Sequence, residues 1–271
     1  MGNANRSAEI QGVILDMDGV LWREYQAIID LPAVFQRIDA AGWKKIFLTN
    51  NSTKAPVQYV ELFNSFGVNL ESRQVVSSSE AAAVYLESQL PEGSKVCVVG
   101  EEGLFRTLER KGFLPYSTDQ SENEIAAVVV GLDRELTYQK IALAANHIRS
   151  GALFIGTNPD TTFPAQQGLM PGAGTVIKAV ETAAGQPPVM IGKPAERIFR
   201  TALDRLQCPA EKVLMIGDRL ETDILGAQQI GCQTAVVLSG IASRQEAESW
   251  QPAPDWIAED LSSLLDDIIN A

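Results

Sequence analysis

Two aspartates separated by one residue, Asp16 and Asp18, stand at the end of an apolar run that reads as a buried strand over 10–15. Residues i and i+2 of an extended chain share a face, so both carboxylates leave the strand on one side. Gly19 lets the chain turn sharply there without a Cβ penalty. Two like charges this close repel each other unless a cation lies between them. Such a pair can supply a carboxylate nucleophile and a general acid–base, although an Asp-rich turn after a strand has the same composition. Three further groups stand at expected strand ends: Thr49-Asn50-Asn51, Gly192-Lys193-Pro194, and Gly217-Asp218 with Asp223 five residues on. Taken singly, each has an ordinary reading. Thr-Asn-Asn is a common turn or helix cap, Gly-Lys-Pro a surface turn, and Asp223 an acid opposing the dipole of a helix's first turn.

The elements that must position these groups follow from hydrophobic spacing. Leu31, Val34, Phe35 and Ile38 predict a helix over 31–41, with Gly42 just past its end. Lys45-Ile46-Phe47-Leu48-Thr49 predicts the next strand, and Val57, Val60, Phe63 and Phe66 the next helix, closed by Gly67. Val75-Val76 reads as a short strand and Ser77-Ser78-Ser79 as a joint. A second βα series follows: a helix over 79–90, strands over 95–100, 125–130 and 152–156, and helices over 102–112, 137–151 and 173–184. A loop over 157–164 carries Asn158, Asp160 and Phe163, and Pro171-Gly172 leads into the last of those helices. The final part holds strands over 189–191, 212–216 and 234–238, and helices over 195–206, 221–230 and 261–269. Strands alternating with helices at this spacing mean βαβ units and a parallel sheet. In such a sheet, ligands bind beyond the carboxyl ends of the strands.

Composition narrows the chemistry. The 271 residues carry a formal charge of −12, with 45% hydrophobic and 21% charged residues. So acidic a surface repels phosphate backbones at long range, which argues against nucleic-acid binding. No apolar run is long enough to cross a bilayer, and residues 1–9 lack the apolar core of a secretory signal, so a cytoplasmic location is expected. The three cysteines, Cys97, Cys208 and Cys232, are scattered and have no zinc spacing. Cys97 reads as a buried structural thiol. His147 is the only histidine, which excludes most Ser-His and Cys-His designs and any multi-histidine metal site. What remains is chemistry on carboxylates, lysine and a hard metal.

Jointly and in this order, the four groups resemble the haloacid dehalogenase superfamily of phosphohydrolases. Asp16-Met17-Asp18-Gly19-Val20-Leu21-Trp22, Leu48-Thr49-Asn50-Asn51-Ser52, Ile191-Gly192-Lys193-Pro194 and Gly217-Asp218-Arg219-Leu220-Glu221-Thr222-Asp223-Ile224 are similar to the NagD-like group. That group includes nucleotide, p-nitrophenyl phosphate, phosphoglycolate and pyridoxal phosphate phosphatases. The resemblance implies an α/β fold: a Rossmann-like parallel-sheet core, residues 1–80 and 187–271, with an inserted α/β cap, residues 81–186. One helix and one strand fill the interval from Asp16 to Thr49, whereas the interval from Thr49 to Lys193 holds the whole second βα series, where the larger cap of the family is inserted.

The same resemblance implies a Mg²⁺-dependent phosphomonoester hydrolase that acts through an aspartyl-phosphate. Its substrates would be small phosphorylated metabolites: a nucleoside monophosphate, phosphoglycolate, a sugar phosphate or p-nitrophenyl phosphate. Asp16 would be the nucleophile and Asp18 the general acid–base. Mg²⁺ would take the Asp16 carboxylate, the Asp18 main-chain carbonyl and Asp218, with Asp223 supporting the metal's waters or Lys193. Thr49, Asn50, Asn51 and Lys193 would hold the phosphate. Asn158, Asp160 and Phe163 in the cap loop are the candidates for contacts that select the substrate. A phosphomutase or a dehalogenase on the same fold, or a catalytically silent metabolite-binding regulator, are the alternatives. A second acid at Asp18 speaks against a dehalogenase, and four intact motifs speak against a silent protein. No nucleic acid or membrane partner is expected. Related proteins often dimerise through the cap, so a homodimer is among the assemblies the resemblance allows.

Overall fold

A computed structural model describes residues 10–117, 124–165 and 168–269. The chain forms two compact units. The first comprises the chain through Thr49, Tyr59–Val76 and the chain from Phe199 on; the second comprises Asn50–Gln58 and Ser77–Ile198.

The first unit is built on a six-stranded sheet. Its order is Trp256–Ala258, Gln233–Val237, Val213–Gly217, Gly12–Asp16, Lys44–Thr49, Val75–Ser77. The first five of these run parallel. Every residue of Gly12–Asp16 and of Val213–Gly217 is buried, as expected of strands covered on both faces. The chain starts in the middle, builds outward through Lys44–Thr49, then returns to build outward on the other side from Val213–Gly217. Strand order therefore reverses between Gly12–Asp16 and Val213–Gly217, and such a switch point opens a crevice at the strand ends. Helix Leu31–Ala40 starts where Asp30 Oδ1 accepts from the Ala33 N–H at 3.1 Å. It buries Leu31, Val34, Phe35 and Ile38, the four residues whose spacing predicts it. An aromatic cluster fills the core beside it. Phe63 lies 4.5 Å from Phe47 and 5.0 Å from Trp22 between ring centroids, and Phe35 lies 5.4 Å from Phe47. Trp22 is thus a core residue.

The second unit has its own sheet and core. Five parallel strands run in the order Val189–Met190, Leu153–Gly156, Ala127–Val130, Lys95–Val99, Leu114–Ser117. Val99, Val128, Val130, Ile148, Ile177 and Val180 pack together with Cys97. Burial pushes the Cys97 thiol up to about 11, so it is an inert packing group. His147 pairs its Nε2 with the Tyr116 hydroxyl at 2.8 Å, a packing role. The chain passes into this unit at Ser77, whose Oγ accepts from the Glu80 N–H and caps helix Ser78–Glu87. The core boundary expected at 187 falls just ahead of Val189–Met190, which pairs with Leu153–Gly156 of this second sheet.

Several elements depart from the hydrophobic spacing. Where a loop is expected over 157–164, Thr162–Ala165 and Gly168–Pro171 form an antiparallel hairpin. Gly168–Pro171 is exposed throughout, so no buried alternation marks it. Leu114–Ser117 is an unexpected edge strand containing a proline, the position in a sheet that tolerates one. The helix expected over 221–230 begins instead as a wide π-type turn, Leu220–Ile224, before Leu225–Gln229 continues as α-helix. Helix Arg244–Ser249 and strand Trp256–Ala258 are too short for periodicity to reveal.

Phe63 is fully buried and touches three other rings. Phe63→Ala should therefore destabilise the first unit by about 3–5 kcal/mol. Denaturant unfolding checks this; a midpoint shift worth under about 1 kcal/mol would contradict the central place given to this ring.

Candidate active site

Strand register assembles the acidic site of the first unit. Asp16 is the last residue of its strand and pairs with Leu48, so Thr49 leaves the neighbouring strand one residue beyond it. On the other side Leu15 pairs with Ile216, which brings Gly217 level with Asp16 and sends Asp218 out past the edge. Asp16, Asp218 and Asp223 are all buried, and each offers a carboxylate oxygen within 4.8 Å of the others. Three buried carboxylates at this distance need compensating positive charge. An all-oxygen donor set of this kind suits a hard divalent cation. The side chain of Asp18 is exposed and stands outside this trio. Its backbone belongs to a tight turn in which the Leu21 N–H donates to the Met17 carbonyl at 2.9 Å and the Gly19 N–H to the Trp22 carbonyl at 2.8 Å.

The loops around Asp218 are shaped to admit it. Gly19 adopts φ +84°, a conformation that favours glycine, and a Cβ there would overlap the Asp218 carboxylate. A Cβ on Gly240 would overlap it from another direction. The Ile241 N–H donates to Asp218 Oδ2 at 2.9 Å, and the Ala242 N–H donates to its main-chain carbonyl at 2.9 Å. Asp223 is delivered by the π-type turn, and its Oδ2 accepts from the Arg219 N–H at 3.1 Å.

Tyr59 joins this site, and hydrophobic spacing does not single it out. It lies one helical turn before Phe63 and reads as core, yet its hydroxyl is buried beside Asp18, Asp16 and Thr49. Burial raises its pKa well above the ordinary 10, and the Asp18 carboxylate adds to the shift. Tyr59 therefore stays a neutral O–H donor across the physiological range.

In the second unit, four of the expected residues form one polar network. Asn50 Nδ2 donates to the Lys193 carbonyl at 3.0 Å and to Asp160 Oδ2 at 3.1 Å. Asn50 Oδ1 accepts from the Lys193 N–H at 2.7 Å. Asn158 Nδ2 and Ser78 Oγ each donate to the Asn50 carbonyl at 2.7 Å. Gly192 permits the approach, since a Cβ there would meet Asn50 Oδ1 at 2.6 Å. Lys193 is only 3% exposed. These residues follow Lys44–Thr49, Leu153–Gly156 and Val189–Met190, again at the carboxyl ends of strands. Asn51 and Phe163 lie outside this network. Asn51 Oδ1 accepts from the Thr53 N–H at 2.9 Å and its hydroxyl at 2.7 Å, which shapes the turn. Phe163 lies under the Arg134 guanidinium, 5.8 Å from ring centroid to carbon, and Arg134 pairs with Glu101 at 2.8 Å.

Residues 13–114 match the family described as haloacid dehalogenase-like hydrolase, and residues 190–264 match the HAD-hydrolase-like family. Phosphoglycolate phosphatase 1A, chloroplastic, of Arabidopsis thaliana is 34% identical over 277 residues, which cover 94% of this chain and 76% of that protein. The glycerol phosphate phosphatase of Mycobacterium tuberculosis, solved in complex with magnesium, is 34% identical with a TM-score of 0.84, covering 96% of this chain and 77% of that one. NagD from Escherichia coli K-12 is 32% identical with a TM-score of 0.83, covering 93% and 97%. With motifs, strand register and acidic trio in agreement, the chain belongs to the haloacid dehalogenase-like hydrolases, among relatives of the NagD type.

Proposed function

We propose that the protein is a Mg²⁺-dependent phosphatase of small phosphorylated metabolites. The observation that carries this reading is the buried trio Asp16, Asp218 and Asp223 at the strand-order switch. Asp16 Oδ attacks phosphorus, and the ester oxygen leaves with a proton from Asp18. Asp18 then takes a proton from a water as that water's oxygen attacks the aspartyl-phosphate, which releases inorganic phosphate and restores Asp16. The Thr49 hydroxyl, the main-chain N–H groups of Asn50 and Asn51, and the Lys193 ammonium hold the phosphate oxygens throughout. Tyr59 keeps a neutral donor beside Asp18 and Thr49. Held by Asp16, the Asp18 carbonyl and Asp218, with Asp223 behind them, Mg²⁺ would offset the carboxylate charge and polarise the phosphoryl group. Phosphoryl transfer depends mostly on such positioning and charge stabilisation.

The relatives named for phosphoglycolate and glycerol phosphate support small organic phosphates as the substrate class. We assign leaving-group selection to Phe163, whose ring is packed against the Arg134 guanidinium.

Chelation should abolish phosphate release from a monoester panel, and added Mg²⁺ should restore it; full turnover by metal-free protein would refute the metal's role. Release of inorganic phosphate also separates a hydrolase from a mutase, which would retain it on the product. Asp16→Asn should eliminate the phosphoenzyme in rapid-quench experiments. Asp18→Asn should slow alkyl phosphate turnover by about 10²–10⁴-fold, with a smaller loss on p-nitrophenyl phosphate, whose leaving group needs little protonation. An equal loss on both esters would remove Asp18 from the acid's role. Phe163→Ala should reorder kcat/KM among metabolite esters more than it changes p-nitrophenyl phosphate hydrolysis; an unchanged order would place selectivity elsewhere.

A further inference from the structure

The side chain and the carbonyl of Asn50 are both occupied by the protein. An amide side chain has two donor hydrogens, and those of Asn50 go to the Lys193 carbonyl and to Asp160. Its Oδ1 is taken by the Lys193 N–H. Its carbonyl, with two lone pairs, accepts from Ser78 Oγ and Asn158 Nδ2. The Asp160 N–H donates to Asn158 Oδ1 at 3.1 Å, which joins the two cap-loop residues to each other. The Asn50 side chain therefore has no donor left for a substrate oxygen. In a planar trans peptide the N–H opposes the C=O, so fixing the Asn50 carbonyl also fixes the direction of the Asn51 N–H.

We propose that Asn158 and Asp160 are positioning residues for the phosphate rather than readers of the leaving moiety. They lock Asn50, and Asn50 in turn clamps the Lys193 backbone from both its N–H and its carbonyl. The Lys193 backbone, from which its side chain starts, and the main-chain donors at Asn50 and Asn51 are thereby held in one geometry before substrate arrives. A carboxylate acceptor at Asp160 strengthens the bond from Asn50. The inference rests on the phosphatase reading, because that reading gives Asn50 and Lys193 the phosphate. It makes recognition of the phosphate depend on the loop after Leu153–Gly156, and leaves discrimination among esters to residues outside the clamp.

Three variants test it in the Mg²⁺-loaded full chain. Asp160→Ala removes the acceptor, Asn158→Asp turns a donor into a carboxylate facing the Asn50 carbonyl, and Asp160→Asn keeps an acceptor oxygen. The first two should weaken binding of inorganic phosphate, measured by calorimetry, by about tenfold, the scale of one such hydrogen bond. KM should rise by a similar factor on every ester, with the order of substrates unchanged. Exchange of the Lys193 amide hydrogen, followed by NMR, should accelerate, and Asp160→Asn should restore most of each property. A changed substrate order with wild-type phosphate affinity and wild-type Lys193 exchange would overturn the proposal and make these residues leaving-group readers. Wild-type values in all three variants would overturn it too. A wild-type protein that hydrolyses no ester would end the phosphatase reading. The Lys193 exchange rates would still decide whether the clamp exists.

Discussion

Mutual repulsion among buried carboxylates is the constraint that the first unit is arranged to satisfy. Taking a single charged group out of water costs several kcal/mol on the order-of-magnitude scale for proteins, and Asp16, Asp218 and Asp223 are all buried together. Such a trio is retained only where the fold supplies compensation. Part of it is local: main-chain N–H groups of Ile241 and Arg219 donate to Asp218 and Asp223. The remainder is positive charge, which a divalent cation provides most compactly. That requirement reaches back into the backbone. Two loops must pass close to one carboxylate, so they carry Gly19 and Gly240. The helix after Val213–Gly217 must turn its acid inward, so it starts as a wide π-type turn, a device common at functional sites.

Both units use the same architectural logic with different chemistry. Each is a parallel sheet whose polar residues collect at the carboxyl ends of its strands, where the ladder stops and backbone groups are open to a ligand. In the first unit those ends carry acids. In the second they carry Asn158, Asp160 and Lys193, which gather around Asn50, and hydrogen bonding rather than charge repulsion is the organising force. A buried lysine is expensive to hold in place because its side chain is long and flexible. Bonds from Asn50 to the Lys193 N–H and carbonyl fix the backbone from which that side chain starts. The aromatic core around Phe63 serves the same end in the first unit, because it fixes the helix that carries Tyr59.

The sequence by itself determined the α/β class, the strands that end in Asp16 and Thr49 and the one that leads into Asp218, and the acidic, oxygen-based chemistry. It could do so because buried parallel strands are continuous apolar runs and because one turn residue after another follows them with carboxylates or amides. Helix Leu31–Ala40 was equally legible, since all four of its core residues fall at helical spacing. The hairpin of Thr162–Ala165 and Gly168–Pro171 was not, because exposed residues leave no alternating pattern to read. The family resemblance already set Asp223 beside Asp218, but only tertiary structure showed how it reaches Asp16 and Asp218, through a π-type turn that spacing in the chain does not reveal. Only tertiary structure showed Tyr59 beside the acids, because in sequence it is one more apolar helix position. The partners of Asn158 and Asp160 were likewise hidden. A side-chain amide commits its donors according to what folding brings within about 3 Å, and Asn50 lies more than a hundred residues away along the chain.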